Sequence, residues 1–165
     1  MRTKKILRQR CFALPNSKQK LVLTQTVLEK FISFRQQGNE PEAGGLLFAE
    51  FDFPLIRIVE ASVPHATDKR WRTLFGPNRT LQQELIRKYF KQGRHFVGEW
   101  HTHPEPDPTP SGLDLISMAD VFLKSRHSLN YFITIIVGNK AEVLMLWIGT
   151  HDGLSCHQLN ESTTK

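Results

Sequence analysis

The stretch GEWHTHPEPDPTPSGLD, residues 98–114, decides how the chain is to be read. In an extended backbone side chains two apart point the same way, so His101 and His103 can share one ion if the strand continues through them. Pro104, Pro106, Pro108 and Pro110 then stiffen a turn that returns the chain beside the histidines. Catalytic zinc takes three protein ligands and keeps one position open, and Asp114 is the leading candidate for the third. Glu105 and Asp107 compete for that place, although an extended proline-rich backbone carries them outward. Each piece also has a plainer reading. A His-x-His pair on a strand can simply face solvent, and SGLD reads as a helix start with Ser111 as N-cap and Asp114 in the first turn. The second reading is compatible with a metal site, because a helix N-terminus holds a ligand aspartate firmly.

Working outward, residues 95–100 read as a short strand that runs straight into the histidines. After Ser111 a helix extends to about His127, with Leu115, Ile116, Ala119, Phe122 and Leu123 expected to face the core. Upstream, helical spacing over Thr24 to Gln37 and over Arg79 to Gln92 predicts two more helices, stopped by Gly38 and Gly93. Leu46 to Phe51 and the alternating PLIRIVEASV predict a β-hairpin. The segment from His65 to Asn78, with Trp71, has no clear period and reads as a long surface loop. Downstream, Tyr131 to Val137 and Glu142 to Gly149 read as strands joined by Gly138, Asn139 and Lys140, with a weaker strand over Leu154 to Leu159. Strands and helices intermingle without a strict βαβ repeat, so the expected class is mixed α/β, or α+β, with a largely antiparallel sheet flanked by helices.

At 165 residues the chain is long enough for one core and short for two. Its apolar runs are strand-sized, well under the roughly 20 residues of a membrane helix. The basic start breaks off at Pro15 before a signal-peptide core forms, and these features point to a cytoplasmic protein with no membrane contact. Cys11 and Cys156 stand near opposite ends without CxxC spacing, the pattern of two reduced thiols rather than of a disulfide or cysteine-zinc framework. The net charge of +6 suggests a nucleic-acid footprint until it is located. The first ten residues hold five basic and no acidic side chains, which leaves 17 basic against 16 acidic in the rest. Basicity therefore belongs mainly to a terminal arm, and no RNP-like aromatic pattern, zinc knuckle or phosphate-binding glycine loop supports nucleic-acid binding. The expected organisation is an arm over residues 1–15, a catalytic domain over 16–160 and a tail over 161–165.

A zinc hydrolase also needs a base that is not itself a ligand. Glu42, Glu99, Glu50 and Glu60 are candidates. Local spacing slightly favours Glu99, two residues from His101, whereas Glu42 read on its own is a solvated loop residue ahead of Gly44 and Gly45.

Taken in order, Glu42 in EAGGLLF, His101, His103 and Pro104 in HTHP, and Ser111 with Asp114 in SGLD resemble the JAMM, or MPN-plus, metalloprotease family over roughly residues 20–160. That resemblance implies a single JAB/MPN domain with a cytidine-deaminase-like core. It also implies a Zn2+ ion held by His101, His103 and Asp114, Glu42 as proton shuttle and Ser111 as hydrogen-bond donor to the oxyanion. GEWHTHPEPDPTPSGLD and ASVPHATDKRWRTLFGP look most like the compact bacterial members encoded in CBASS antiphage operons. These are deubiquitinase-like isopeptidases that cut the conjugate between the C-terminus of a cGAS-like nucleotidyltransferase and its target, reversing the work of an E1/E2-like conjugating protein. The alternatives are a general bacterial JAMM peptidase for ubiquitin-like or sulfur-carrier tails, and a non-catalytic MPN scaffold.

Overall fold

The computed structural model describes residues 8–163. Its elements in chain order are β1 (Arg10–Ala13), β2 (Lys20–Leu23), α1 (Gln25–Phe34), β3 (Gly44–Asp52), β4 (Leu55–Ala61), β5 (Lys69–Trp71), β6 (Leu74–Gly76) and α2 (Arg79–Phe90). They continue with β7 (His95–Thr102), α3 (Gly112–Lys124), β8 (Phe132–Val137), β9 (Leu146–His151), β10 (Cys156–Gln158) and β11 (Glu161–Ser162). Nine strands form one sheet in the order β10-β9-β8-β7-β3-β4-β2-β1-β11, parallel only at β2–β4 and β7–β8. The class is the mixed, largely antiparallel one expected, with three helices.

Alternation along the strands divides the sheet into two faces. Leu47, Ala49, Ile58, Trp100, Ile133 and Ile135 turn toward α1, whose Val27, Leu28 and Phe31 complete the main core. Phe31 lies against Trp100 with ring centroids 5.0 Å apart. Burying a side chain of this size contributes about 1.5–3 kcal/mol, so α1 is held by packing and needs no side-chain cap. Phe48, Ile136 and Trp147 turn the other way, toward Tyr89 of α2 and Met118 of α3.

A bulge lets β7 serve both faces. Leu47 pairs with Gly98 and Phe48 with Phe96, which leaves Val97 as an extra residue. Val97 and Trp100, three apart, therefore share the α1 core, a separation that an unbroken strand would place on opposite faces. Gly98 makes the bulge possible: its φ is +152°, and a Cβ there would sit 1.7 Å from the Ile133 carbonyl oxygen.

Several boundaries differ from the sequence reading. The expected loop over 65–78 contains the β5–β6 hairpin, whose three-residue strands are too short to show a period of two. Residues 138–145 form the whole connection between β8 and β9, because β9 begins at Leu146 rather than at Glu142. In α3 only Met118 is buried; Leu115, Ile116 and Leu123, expected in the core, are exposed, the last two at 65%. The helix touches the sheet along a line and leaves its outer flank open. β1 and β11 pair with each other beyond residues 16 and 160, and Arg10 forms a two-pronged ion pair with Glu161 at 2.8 Å. Residues 1–7 of the expected basic arm and 164–165 of the tail lie outside the described residues. Among the described residues no helix is long and apolar enough to cross a membrane.

Candidate metal centre

β7 ends at Thr102, and the chain turns at Pro104 with His103 N–H bonded to Val137 O at 2.9 Å. The two imidazoles still converge, their Nε2 atoms 3.1 Å apart. Ser111 and Asp114 close a reciprocal capping box at the start of α3: the Ser111 hydroxyl accepts from Asp114 N at 3.1 Å, and Asp114 Oδ2 accepts from Ser111 N at 2.8 Å. That box aims the carboxylate at the histidines, with Oδ1 3.2 Å from His101 Nε2 and Oδ2 3.2 Å from His103 Nε2. The helix-start and ligand readings of SGLD thus coincide in one geometry.

Glu42 completes the cluster. It is only 4% exposed, not the solvated loop residue its local sequence suggests, and it offers an oxygen within 4.8 Å of ligand atoms of both histidines. Burial pushes its carboxyl up to about 7, against the pull of His101 and His103. Burial also works to raise Asp114, but hydrogen bonds from His101, His103 and the Ser111 backbone outweigh it and hold that carboxyl well below the usual range. Burial opposes charge on His103 as well, yet Asp114, Glu42 and Glu105 together raise its pKa. The four side chains therefore divide into one firmly anionic carboxylate facing two imidazoles and one carboxyl poised to hold or release a proton.

The other acids of the sequence reading are engaged elsewhere. Glu99 lies on the same face as His101 but is gripped by Arg79, at the N-terminus of α2. Glu60 pairs with Lys30 and Glu50 with Arg94. Asp107 is exposed in the proline turn. Glu105 approaches His103 from the Nδ1 side, at 3.8 Å, so it stands behind the imidazole rather than among the converging atoms.

The site lies in a cleft of about 380 Å³ between the β5–β6 hairpin and α3. Leu74 and Phe75 line one wall; Leu113, Asp114 and Ile116 line the other. Trp71 stands at the hairpin, 52% exposed. The hairpin also holds Glu42 by its backbone: Glu42 N–H bonds Trp71 O, and Arg70 Nε donates to Glu42 O at 2.8 Å.

Sequence reasoning missed the group that joins these parts. Gln36, 1% exposed, follows α1 and gives its amide to Glu40 O at 3.0 Å and Arg72 O at 2.7 Å. Its side-chain oxygen accepts from Thr102 Oγ1 at 2.7 Å, between the two histidines, while Thr102 Oγ1 accepts from Ala43 N. One buried amide thus ties the Glu42 segment, the histidine strand and the hairpin turn. A lone glutamine after a helix has no periodic or motif signal that could reveal this. Gln36→Leu leaves these partners unmatched inside the protein and is expected to cost about 2–4 kcal/mol, since each orphaned buried group costs about 1–3 kcal/mol. Urea denaturation measures it, and a loss under about 0.5 kcal/mol would remove the glutamine from this structural role.

Comparison with known proteins agrees with this architecture. The family model described as prokaryotic homologs of the JAB domain matches residues 24–149. The chain is 36% identical over 147 residues to the CD-NTase/cGAS isopeptidase of Pseudomonas aeruginosa strain BWHPSA011, covering 86% of this chain and 92% of that protein. It is 31% identical over 120 residues to the protein of the same name from Enterobacter hormaechei, covering 72% and 67% respectively. A solution structure of a protein from Desulfitobacterium hafniense superposes with a TM-score of 0.62 at 18% identity, over 82% of this chain and 87% of that one, a likeness of fold. The family match runs unbroken from the cap of α1 through Glu42, the histidine strand and Asp114 to β9, and the chain belongs to the prokaryotic JAB-domain family, within the JAMM/MPN group.

Proposed function

We propose that the protein is a zinc-dependent isopeptidase that hydrolyses the bond between the C-terminal tail of a cGAS-like nucleotidyltransferase and its conjugated target. It would act in the cytoplasm on the product of an E1/E2-like conjugating protein in CBASS antiviral defence. The observation that carries this reading is the convergence of two imidazole Nε2 atoms and the Asp114 carboxylate beside buried Glu42, at the floor of a cleft. The names of the curated relatives support the choice of substrate.

The donor set suits zinc, which favours imidazole nitrogen and carboxylate oxygen, and His101, His103 and Asp114 would hold it. Zinc bound there supplies Lewis acidity toward a scissile carbonyl and lowers the pKa of water. Glu42, buried beside both histidines with its carboxyl raised to about 7, takes the proton from the attacking water and passes it to the departing amine. Ser111 spends its acceptor on Asp114 N–H, which leaves its O–H to donate toward negative charge developing on the carbonyl oxygen. The cleft orients the substrate. An extended tail lies along the hairpin, with Leu74 on one side and Leu113 and Ile116 on the other, and its backbone pairs with a strand edge. Trp71 grips the tail or the protein that carries it.

The test is to incubate the protein with a nucleotidyltransferase joined through its C-terminus to a lysine-bearing reporter, with and without chelator, and to read the new termini by mass spectrometry. Cleavage after the last residue of the tail, abolished by chelator and restored by zinc, is expected. Undiminished cleavage by metal-free protein would end the zinc reading. Cleavage of a ubiquitin-like or sulfur-carrier tail in its place would move the protein to the general peptidase class.

A further inference from the structure

We propose that Glu105 is the positioning residue for His103, its carboxylate accepting the Nδ1 proton of that imidazole from behind and so turning the Nε2 lone pair toward the converging ligands. The inference rests on the zinc reading above and adds to it a residue that stands outside the ligand set.

Three observations carry it. His103 Nδ1 is shut away from solvent and has no hydrogen-bond partner. The carboxylate of Glu105 faces that atom, with Oε2 at 3.8 Å, about 1 Å beyond a charge-assisted hydrogen bond. Finally, Glu105 is fixed at its backbone and loose at its tip. Its carbonyl accepts from Asn139 N at 2.8 Å, and it packs against Gly138, where a Cβ would meet Glu105 O at 3.0 Å, while its side chain is 55% exposed. A side-chain rotation can therefore close the gap without moving the turn.

The chemistry requires an acceptor at that place. A neutral imidazole that presents a lone pair at Nε2 carries its proton at Nδ1. A buried N–H with nothing to accept it is penalised, and the penalty falls directly on the tautomer that binds metal. His103 is the only histidine with such an orphaned ring nitrogen among the described residues. Glu105 is thereby removed from competition as a ligand, since it sits on the side of the ring away from Asp114.

Zinc affinity, measured by competition with a chromophoric chelator, tests the proposal without any substrate. Wild-type protein, Glu105→Ala, Glu105→Gln and His103→Ala are compared, each checked for fold by circular dichroism. Glu105→Ala is expected to weaken zinc about 10- to 100-fold, the usual cost of losing such a partner, and Glu105→Gln, which keeps an acceptor oxygen, to recover most of it. In 15N-edited NMR of the zinc-loaded protein the His103 Nδ1 proton should be protected in wild type and in Glu105→Gln, and exchange faster in Glu105→Ala. Affinity within twofold of wild type and an unchanged Nδ1 signal in Glu105→Ala would overturn the role of Glu105 and leave the zinc site standing. Wild-type affinity in His103→Ala would instead overturn the ligand set, and this proposal with it.

Discussion

Asp114→Ala protein is expected to lose both its metal and its hydrolysis. The carboxylate bridges His101 and His103 through separate oxygens, and the capping box with Ser111 fixes its direction. Alanine removes the anionic ligand of the set and leaves two neutral imidazoles to hold the cation alone, so zinc affinity should fall by more than the roughly 10- to 100-fold typical for outer partners. His101→Ala should behave alike. Metal analysis of the purified variants gives about one zinc per chain for wild type and close to none for either variant. Full retention in both would dissolve the site. The helix itself should survive, because loss of a capping interaction costs only about 0.5–2 kcal/mol.

Glu42→Ala is expected to keep zinc and the fold while losing cleavage by about 10²- to 10⁴-fold, the usual contribution of a positioned acid–base group. Single-turnover cleavage with metal content measured on the same sample separates the two effects. The comparison with Asp114→Ala is informative because both carboxylates lie within reach of the histidines. If Glu42→Ala emptied the site and Asp114→Ala did not, the two roles would be exchanged. If Glu42→Ala turned over normally and Glu99→Ala were inactive, the base would be Glu99. The ion pair with Arg79 speaks against that, since it ties the Glu99 carboxylate to the start of α2 and away from the histidines.

The histidines, Ser111 and Asp114 were legible in the sequence because their chemistry is local: an extended pair, a stiff turn and a helix cap need only neighbouring residues. Glu42 was legible only through family resemblance. Its burial comes from the hairpin and from the β3–β7 pairing of Gly44 with His101, partners distant along the chain. The helices α1 and α2 were found within a few residues by periodicity, whereas α3 misled. Its apolar flank reads as core-facing, yet Ile116 lines the cleft and Leu115 and Leu123 are exposed. β1, β2, β5 and β6 escaped notice because strands of three or four residues carry almost no pattern, and their stability comes from the sheet rather than from propensity. Gln36 escaped for a related reason: what it does is defined wholly by who surrounds it.

The extra residue at Val97 makes β7 a parity switch. Downstream of it, odd-numbered positions Glu99 and His101 look toward the cleft and even-numbered Trp100 and Thr102 toward α1. Deleting Val97 would leave Phe96 opposite Phe48 and Gly98 opposite Leu47, so plain alternation would return with Trp100 still turned to α1 and His101 still turned to the cleft. What the deletion would remove is one apolar side chain, 3% exposed, from the interior beneath α1. The surplus residue therefore thickens the interior at that point without steering the imidazole, and the aim of the metal-facing half is set by its pairing with Gly44 and Gly45.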